Sequence, residues 1–125
     1  ANQQQVQMAA LLQQDLKAIG IQVQVTPLEF RSLVDRILKT REYAAAIMAL
    51  APGDADPGAE MNVWSASGRS HYWRLDPARQ EPWEKEIDAA MQRQMATADQ
   101  VERRRLFHRV QAIAAEQMPL VCLVS

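Results

Sequence analysis

Asp54 and Asp56 stand two residues apart immediately before Pro57, and they are the acidic side chains best placed for ligand chemistry. They follow the apolar run Tyr43 to Leu50, and in layered α/β proteins ligands commonly sit at strand ends. A carboxylate there accepts charge-assisted hydrogen bonds from a cationic ligand group. The Asp56-Pro57 dipeptide is equally a frequent turn starter, and spacing alone leaves both uses open. Asp54, Asp56 and Asp76 lack the glycine and alternating ligands of a calcium loop, so no metal is expected on them. Trp64, Tyr72 and Trp73 share this glycine-, proline- and serine-rich stretch, where a disordered linker would seldom carry so many aromatics. Trp64 is a candidate for packing on a ligand, and His71 beside Tyr72 is a candidate contact because loops often carry binding residues.

The other reactive side chains argue against catalysis. His71 and His108 are the only histidines, and neither has another His, Cys or carboxylate at a recognised metal-ligand spacing. His108 lies among arginines, the usual setting of a solvated or salt-bridged ring. Cys122, the one cysteine, alternates with Leu120 and Val124 and reads as a small core hydrophobe that cannot form an internal disulfide. Ser65, Ser67 and Ser70 belong to no nucleophile elbow, and Gly68 stands alone rather than in a phosphate loop. No enzyme activity and no cofactor are expected. Arg103, Arg104, Arg105 and Arg109 form the one basic cluster, but consecutive helical residues lie about 100° apart, so they spread around a helix.

The elements that must position these residues follow from hydrophobic periodicity. Met8, Ala9, Leu12, Leu16 and Ile19 recur at three- and four-residue steps and predict an amphipathic helix that Gly20 stops. Ile21, Val23 and Val25 alternate with polar residues and predict a strand ended by Pro27. Phe30, Leu33, Val34, Ile37 and Leu38 carry a second helix. Tyr43 to Leu50 reads as a buried central strand, weakened by its alanines. The irregular stretch from Ala51 to Pro82 holds a short helical turn near Ala59 to Ser65. Pro82 opens a third helix with Ile87, Ala90, Met91, Gln94 and Met95 on its apolar face. Asp99 and Glu102 have capping-box spacing and open a fourth, with Leu106, Phe107, Val110, Ile113 and Ala114 inside. Pro119 closes it, and Leu120 to Val124 reads as a final strand. The expected fold is α/β, a small mixed sheet with helices packed on it, in a single domain over residues 1–125.

Composition sets the outer limits. With 125 residues and 48% hydrophobic content, the chain suits one globular domain. Lys+Arg 14 against Asp+Glu 15 leaves a net charge of -1, which removes the simplest case for nucleic acid as a partner. No apolar run approaches the roughly 18 residues of a membrane-spanning helix. The Ala1-Asn2-Gln3-Gln4-Gln5 opening has neither a basic nor an apolar region, so it is no signal peptide. It runs straight into a helical pattern, which reads as an excised piece of a longer protein.

Several passages together resemble the C-terminal part of extracellular solute-binding proteins of family 5, the peptide/nickel-type receptors of ABC importers. Leu11 to Val23 is similar to the helix-to-strand passage "QQ-x-L-K-x-x-G-I-x-V". Thr40-Arg41-Glu42-Tyr43 through Asp54-Ala55-Asp56-Pro57 is similar to "g-x-y/f-D … D-x-D-P". Ile87-Asp88, Ala98-Asp99, Arg103 to Phe107, Gln111 and Met118-Pro119-Leu120 are similar to the closing segment of the family. The likeness departs at Ala44, where an aspartate is common, and at Leu50, where many members have tryptophan. In peptide-binding members an aspartate just before the Asp-Pro dipeptide holds the peptide's amino terminus. Asp54 is the nearest carboxylate here, shifted by one position.

The resemblance implies part of one lobe of a bilobal, periplasmic-binding-protein type II-like fold. It also implies a periplasmic or lipid-anchored receptor that encloses an oligopeptide or similar small solute and delivers it to an ABC permease in the membrane. Asp54, Asp56, Trp64 and His71 are then the ligand-binding candidates. The alternative is a stand-alone interaction module that pairs through an exposed sheet edge, and unpaired edges would also favour self-association.

Overall fold

Asn2 begins the first helix by accepting the Gln4 amide hydrogen on Oδ1 at 2.9 Å, the side-chain cap that an N-terminal turn needs. In the computed structural model, which describes residues 2–50, 56–74 and 76–123, this helix, α1, spans Gln3–Ala18. Gly20 ends it as the sequence predicts. Its φ of 85° is left-handed, the Gly20 amide donates to Lys17 O at 3.0 Å and the Ile21 amide to Leu16 O at 2.9 Å. These two bonds form a Schellman cap. A second helix, α2, covers Phe30–Asp35 and runs on as a π-helical turn, Arg36–Thr40, that ends at Arg41 with φ 58°. Contacts group the chain into two units, Ala1–Ala51 and Pro52–Ser125. Within the first, Ile37 is the one buried hydrophobic residue among those described.

The second unit is helical too. Pro57–Glu60 forms a 3-10 turn that leads directly into α3, Met61–Trp64. Another 3-10 turn, Pro77–Arg79, precedes α4, Pro82–Ala96, and residues 97–99 connect α4 to α5, Gln100–Gln117. Pro82 occupies the first turn of α4, where its fixed φ suits the helix and its missing N–H loses nothing. Asp99 caps α5 by accepting from Val101 N at 2.9 Å. Glu102 does not complete the expected reciprocal box; it turns outward to Arg105 and Arg93. Met118, with φ 48°, ends α5 just before Pro119.

Arg93 pairs with Glu102 and Glu86 with Arg109, so a step of seven residues back along α4 is a step of seven forward along α5, and the two helices run antiparallel. Ile87, Ala90 and Met91 of α4 bury against Leu106, Val110 and Ile113 of α5, with Met61, Trp64, Trp83 and Phe107 packed around them. The periodicity named most of this stripe. Met95, expected inside, is 56% exposed.

The α/β expectation is corrected: among the described residues there is no strand, and the core lies between helices. Ile21 to Val25 alternates correctly, yet Ile21 is 49% exposed and the backbone runs irregularly. A strand needs a neighbouring ladder for its amides and carbonyls. Here Val23 O is taken instead by the Gln13 side-chain amide of α1, at 2.7 Å. Tyr43 to Leu50, expected as a buried central strand, is irregular and largely exposed, in keeping with its weak strand formers. Leu120 to Leu123 forms no strand, Cys122 is exposed rather than in a core, and Val124 lies outside the described residues. The mixed sheet, the lobe built on it and the sheet edge for partner pairing therefore fall together.

Candidate functional site

The loop between α3 and α4 is organised by two carboxylates at the start of α4. Glu84, the third residue of the helix, forms a capping box with Glu81, whose amide donates to Glu84 Oε2 at 2.6 Å. The same side chain, 1% exposed, has Arg74 Nε at 2.7 Å from Oε2. Trp73 Nε1 donates to Oε1 at 3.1 Å. A buried carboxylate needs such compensation, and here one helix, one indole and one guanidinium supply it. Asp88, one turn later, accepts from the Ala66 amide at 2.9 Å and from Gln80 Nε2 at 2.6 Å. The two carboxylates thus tie residues 66, 73, 74 and 80 to one helical face.

His71 is packed inside this loop at 3% exposure. Its Nδ1 lies 3.0 Å from Val63 O; a carbonyl only accepts, so Nδ1 carries the hydrogen. Nε2 faces Glu84 Oε1 at 3.8 Å and has no hydrogen-bond partner among the described residues. The imidazole lies against Trp73, with centroids 3.9 Å apart, and Trp73 meets Trp64 at 5.9 Å. Gly68 closes the loop on α3: an added Cβ would penetrate the Asn62 backbone, whose carbonyl already accepts from Ser70 N at 2.9 Å.

Asp56 belongs to a different cluster. Its Oδ1 accepts from Gly58 N at 2.7 Å, which starts the Pro57–Glu60 turn, so the turn-forming use of Asp-Pro is realised. Arg103 Nη2 lies 2.6 Å from Oδ1 and 2.7 Å from Oδ2. The Arg103 bond, helped by the Gly58 amide, holds the Asp56 carboxyl below the usual carboxylate range. Arg103 is itself held by Gln94, donating through Nε to Gln94 O at 3.1 Å and through Nη2 to Gln94 Oε1 at 3.1 Å. Gln94 is fully buried.

On the same side of α5, a cleft of about 370 Å³ opens between Pro57 and the helix. Gln100, Arg104, His108 and Gln111 recur along it at three- and four-residue steps and so share one helical face, with Phe107 beside them. A second cleft, about 360 Å³, lies in the first unit, lined by Leu28, Phe30, Leu33 and Met48.

Of the four predicted ligand residues, Trp64 and His71 meet through Trp73. Asp56 is engaged by Arg103, and Asp54 lies outside the described residues. Arg103, Gln94, Glu84 and Asp88 were not expected as site residues; the sequence placed Arg103 in a basic cluster and Gln94 on the apolar face of a helix. For Arg103 the signal was present in Asp99 four residues before it, which fixes where the helix begins and hence which arginine faces inward. The groups of three or more His, Cys, Asp or Glu side chains that a metal requires do not occur among the described residues. No family model, curated protein or solved structure matches the chain.

Proposed function

We propose that the chain is a solute-binding component of an ABC import system, holding an oligopeptide-like solute for a membrane permease in the periplasm or at the cell envelope. The proposal concerns function alone; the mixed sheet is no part of it. The observation that carries it is the meeting of two passages quoted for the resemblance. Asp56 of the Asp-Ala-Asp-Pro passage and Arg103 of the closing passage, 47 residues apart in sequence, are joined side chain to side chain. An ion pair between distant segments favours their having one shared task over a chance likeness of each. Asp54 orients the cationic end of the solute, with Trp64 contributing apolar contact; Asp56, held by Arg103, fixes the turn beside it.

Calorimetric titration with tri- to pentapeptides, each also in N-acetylated form, tests the reading. Free-amine peptides are expected to bind more tightly than acetylated ones, with D54A removing the difference. Absence of heat for every peptide into the millimolar range overturns the reading. Equal loss for both forms in D54A removes the amine-orienting role from Asp54 alone.

The first unit favours a second reading, an interaction module. Leu11, Ile19 and Phe30 are 63%, 71% and 67% exposed, apolar side chains that a partner surface would cover. Self-association would then raise the light-scattering mass with concentration; a constant monomer mass removes this reading.

A further inference from the structure

The cleft beside α5 has a charge pattern that the functional reading above does not use. Arg103, Arg105 and Arg109 are each paired with a carboxylate, Asp56, Glu102 and Glu86 respectively, whereas Arg104 has no ion pair among the described residues. Arg104 faces the cleft, one turn from His108. Among the described residues the cleft lining contains no carboxylate, and the amides of Gln100 and Gln111 flank the Arg104 and His108 side chains. Arg103 closes one side. It commits Nε and Nη2 to Gln94 and Asp56, leaving Nη1 without a hydrogen bond among the described residues. Phe107 and Pro57 supply the apolar part of the wall.

We infer that this cleft binds the carboxylate end of a small organic acid, with Arg104 as its principal partner and His108 and the two amides as supporting donors. A guanidinium fork matches a carboxylate's two oxygens, which a lysine or histidine alone does not. The apolar wall beside it suits the carbon skeleton of an amino acid or short peptide better than an inorganic ion. Placed on the solute-binding reading, from which it takes its peptide ligand, the cleft receives the C-terminal carboxylate. The side of selectivity is thereby fixed: a peptide acid is preferred over its C-terminal amide.

Both partners are exposed, so the gain is that of a surface charge pair, about 1 kcal/mol, which is about fivefold in affinity. Titration of the protein with Ala-Ala-Ala and with its C-terminal amide is expected to show that preference, and R104Q to abolish it by weakening only the acid. Equal binding of acid and amide, or a preference that survives in R104Q, overturns the cleft assignment while leaving peptide binding intact. Succinate, followed through the His108 ring and Arg104 Nε resonances, reads the cleft without any peptide. Saturable shifts lost in R104Q uphold the carboxylate site even where every peptide fails; shifts that do not saturate overturn it.

Discussion

At the scale of single residues, two glycines show how different the reasons for one residue type can be. Gly20 has open space around its missing Cβ but a φ of 85°, so Gly20→Ala meets only conformational strain, about 1 kcal/mol. Gly68 is the reverse case, where a Cβ would enter the Asn62 backbone. Overpacking against backbone costs about 1–3 kcal/mol, so G68A is expected to lower the denaturation midpoint more than G20A. Urea unfolding followed by far-ultraviolet circular dichroism, which reads the helices of both units, ranks them; the opposite order would break the account of the loop. Glu84→Leu strips partners from Trp73, Arg74 and the Glu81 amide at once. Removing one member of a buried pair typically costs about 3 kcal/mol or more, and the part exposure of Arg74 places this variant at the low end. A Trp73 indole N–H resonance unmoved in E84L would contradict the bond. The cluster around Glu84, unlike the helix stop at Gly20, could not be read from the sequence, because a glutamate at the start of a helix is ordinarily a solvated capping residue.

At the scale of elements, α4 and α5 were legible because caps and periodicity agree. Pro82 and Asp99 mark the starts, Met118-Pro119 the end, and Ile87, Met91, Leu106, Val110 and Ile113 the buried stripe. The strands were misread because alternation describes only one side of a ladder. Ile21, Val23 and Val25 have the right pattern, but among the described residues no adjacent extended segment pairs with them, and a glutamine from α1 takes Val23 O instead. The candidate site was half legible: aromatic content drew attention to Trp64 and His71, while the roles of Arg103 and Arg104 depend on which side of α5 meets Asp56. The hairpin also predicts an acid response. Arginine partners hold Asp56, Glu86 and Glu102 below the usual carboxylate range, through hydrogen bonds from Arg103, Arg109 and Arg105 respectively. Their contribution is full above the ordinary carboxylate values, about pH 4, and is lost as pH falls through the depressed folded values. The melting temperature is expected to fall less between about pH 6 and about pH 3, which lie above and below the ordinary carboxylate values, in D56N/E86Q/E102Q than in the parent. An identical fall would assign the acid response elsewhere.

At the scale of the whole molecule, burial is unevenly shared. The described hydrophobic core residues lie in the second unit apart from Ile37. Hydrogen-exchange protection follows burial and cooperative packing more than helix content. Amides of α4 and α5 are therefore expected to exchange most slowly, and those of α1 to exchange much faster although α1 is a long, well-capped helix. Met91→Ala, at the centre of the hairpin, is expected to cost about 2–5 kcal/mol and to remove protection from both helices together. Retained protection in α5 would mean that the two helices do not unfold as one body.

The Asp56–Arg103 link has a kinetic consequence. It joins residues 47 apart in sequence, whereas the α4–α5 hairpin closes through three connecting residues, 97–99. Loops that short close early, and a contact between distant segments forms after them. A substitution that breaks the link should then leave the refolding rate nearly unchanged and accelerate unfolding. In that case Asp56 and Arg103 govern how long the folded state lasts rather than how quickly it is reached.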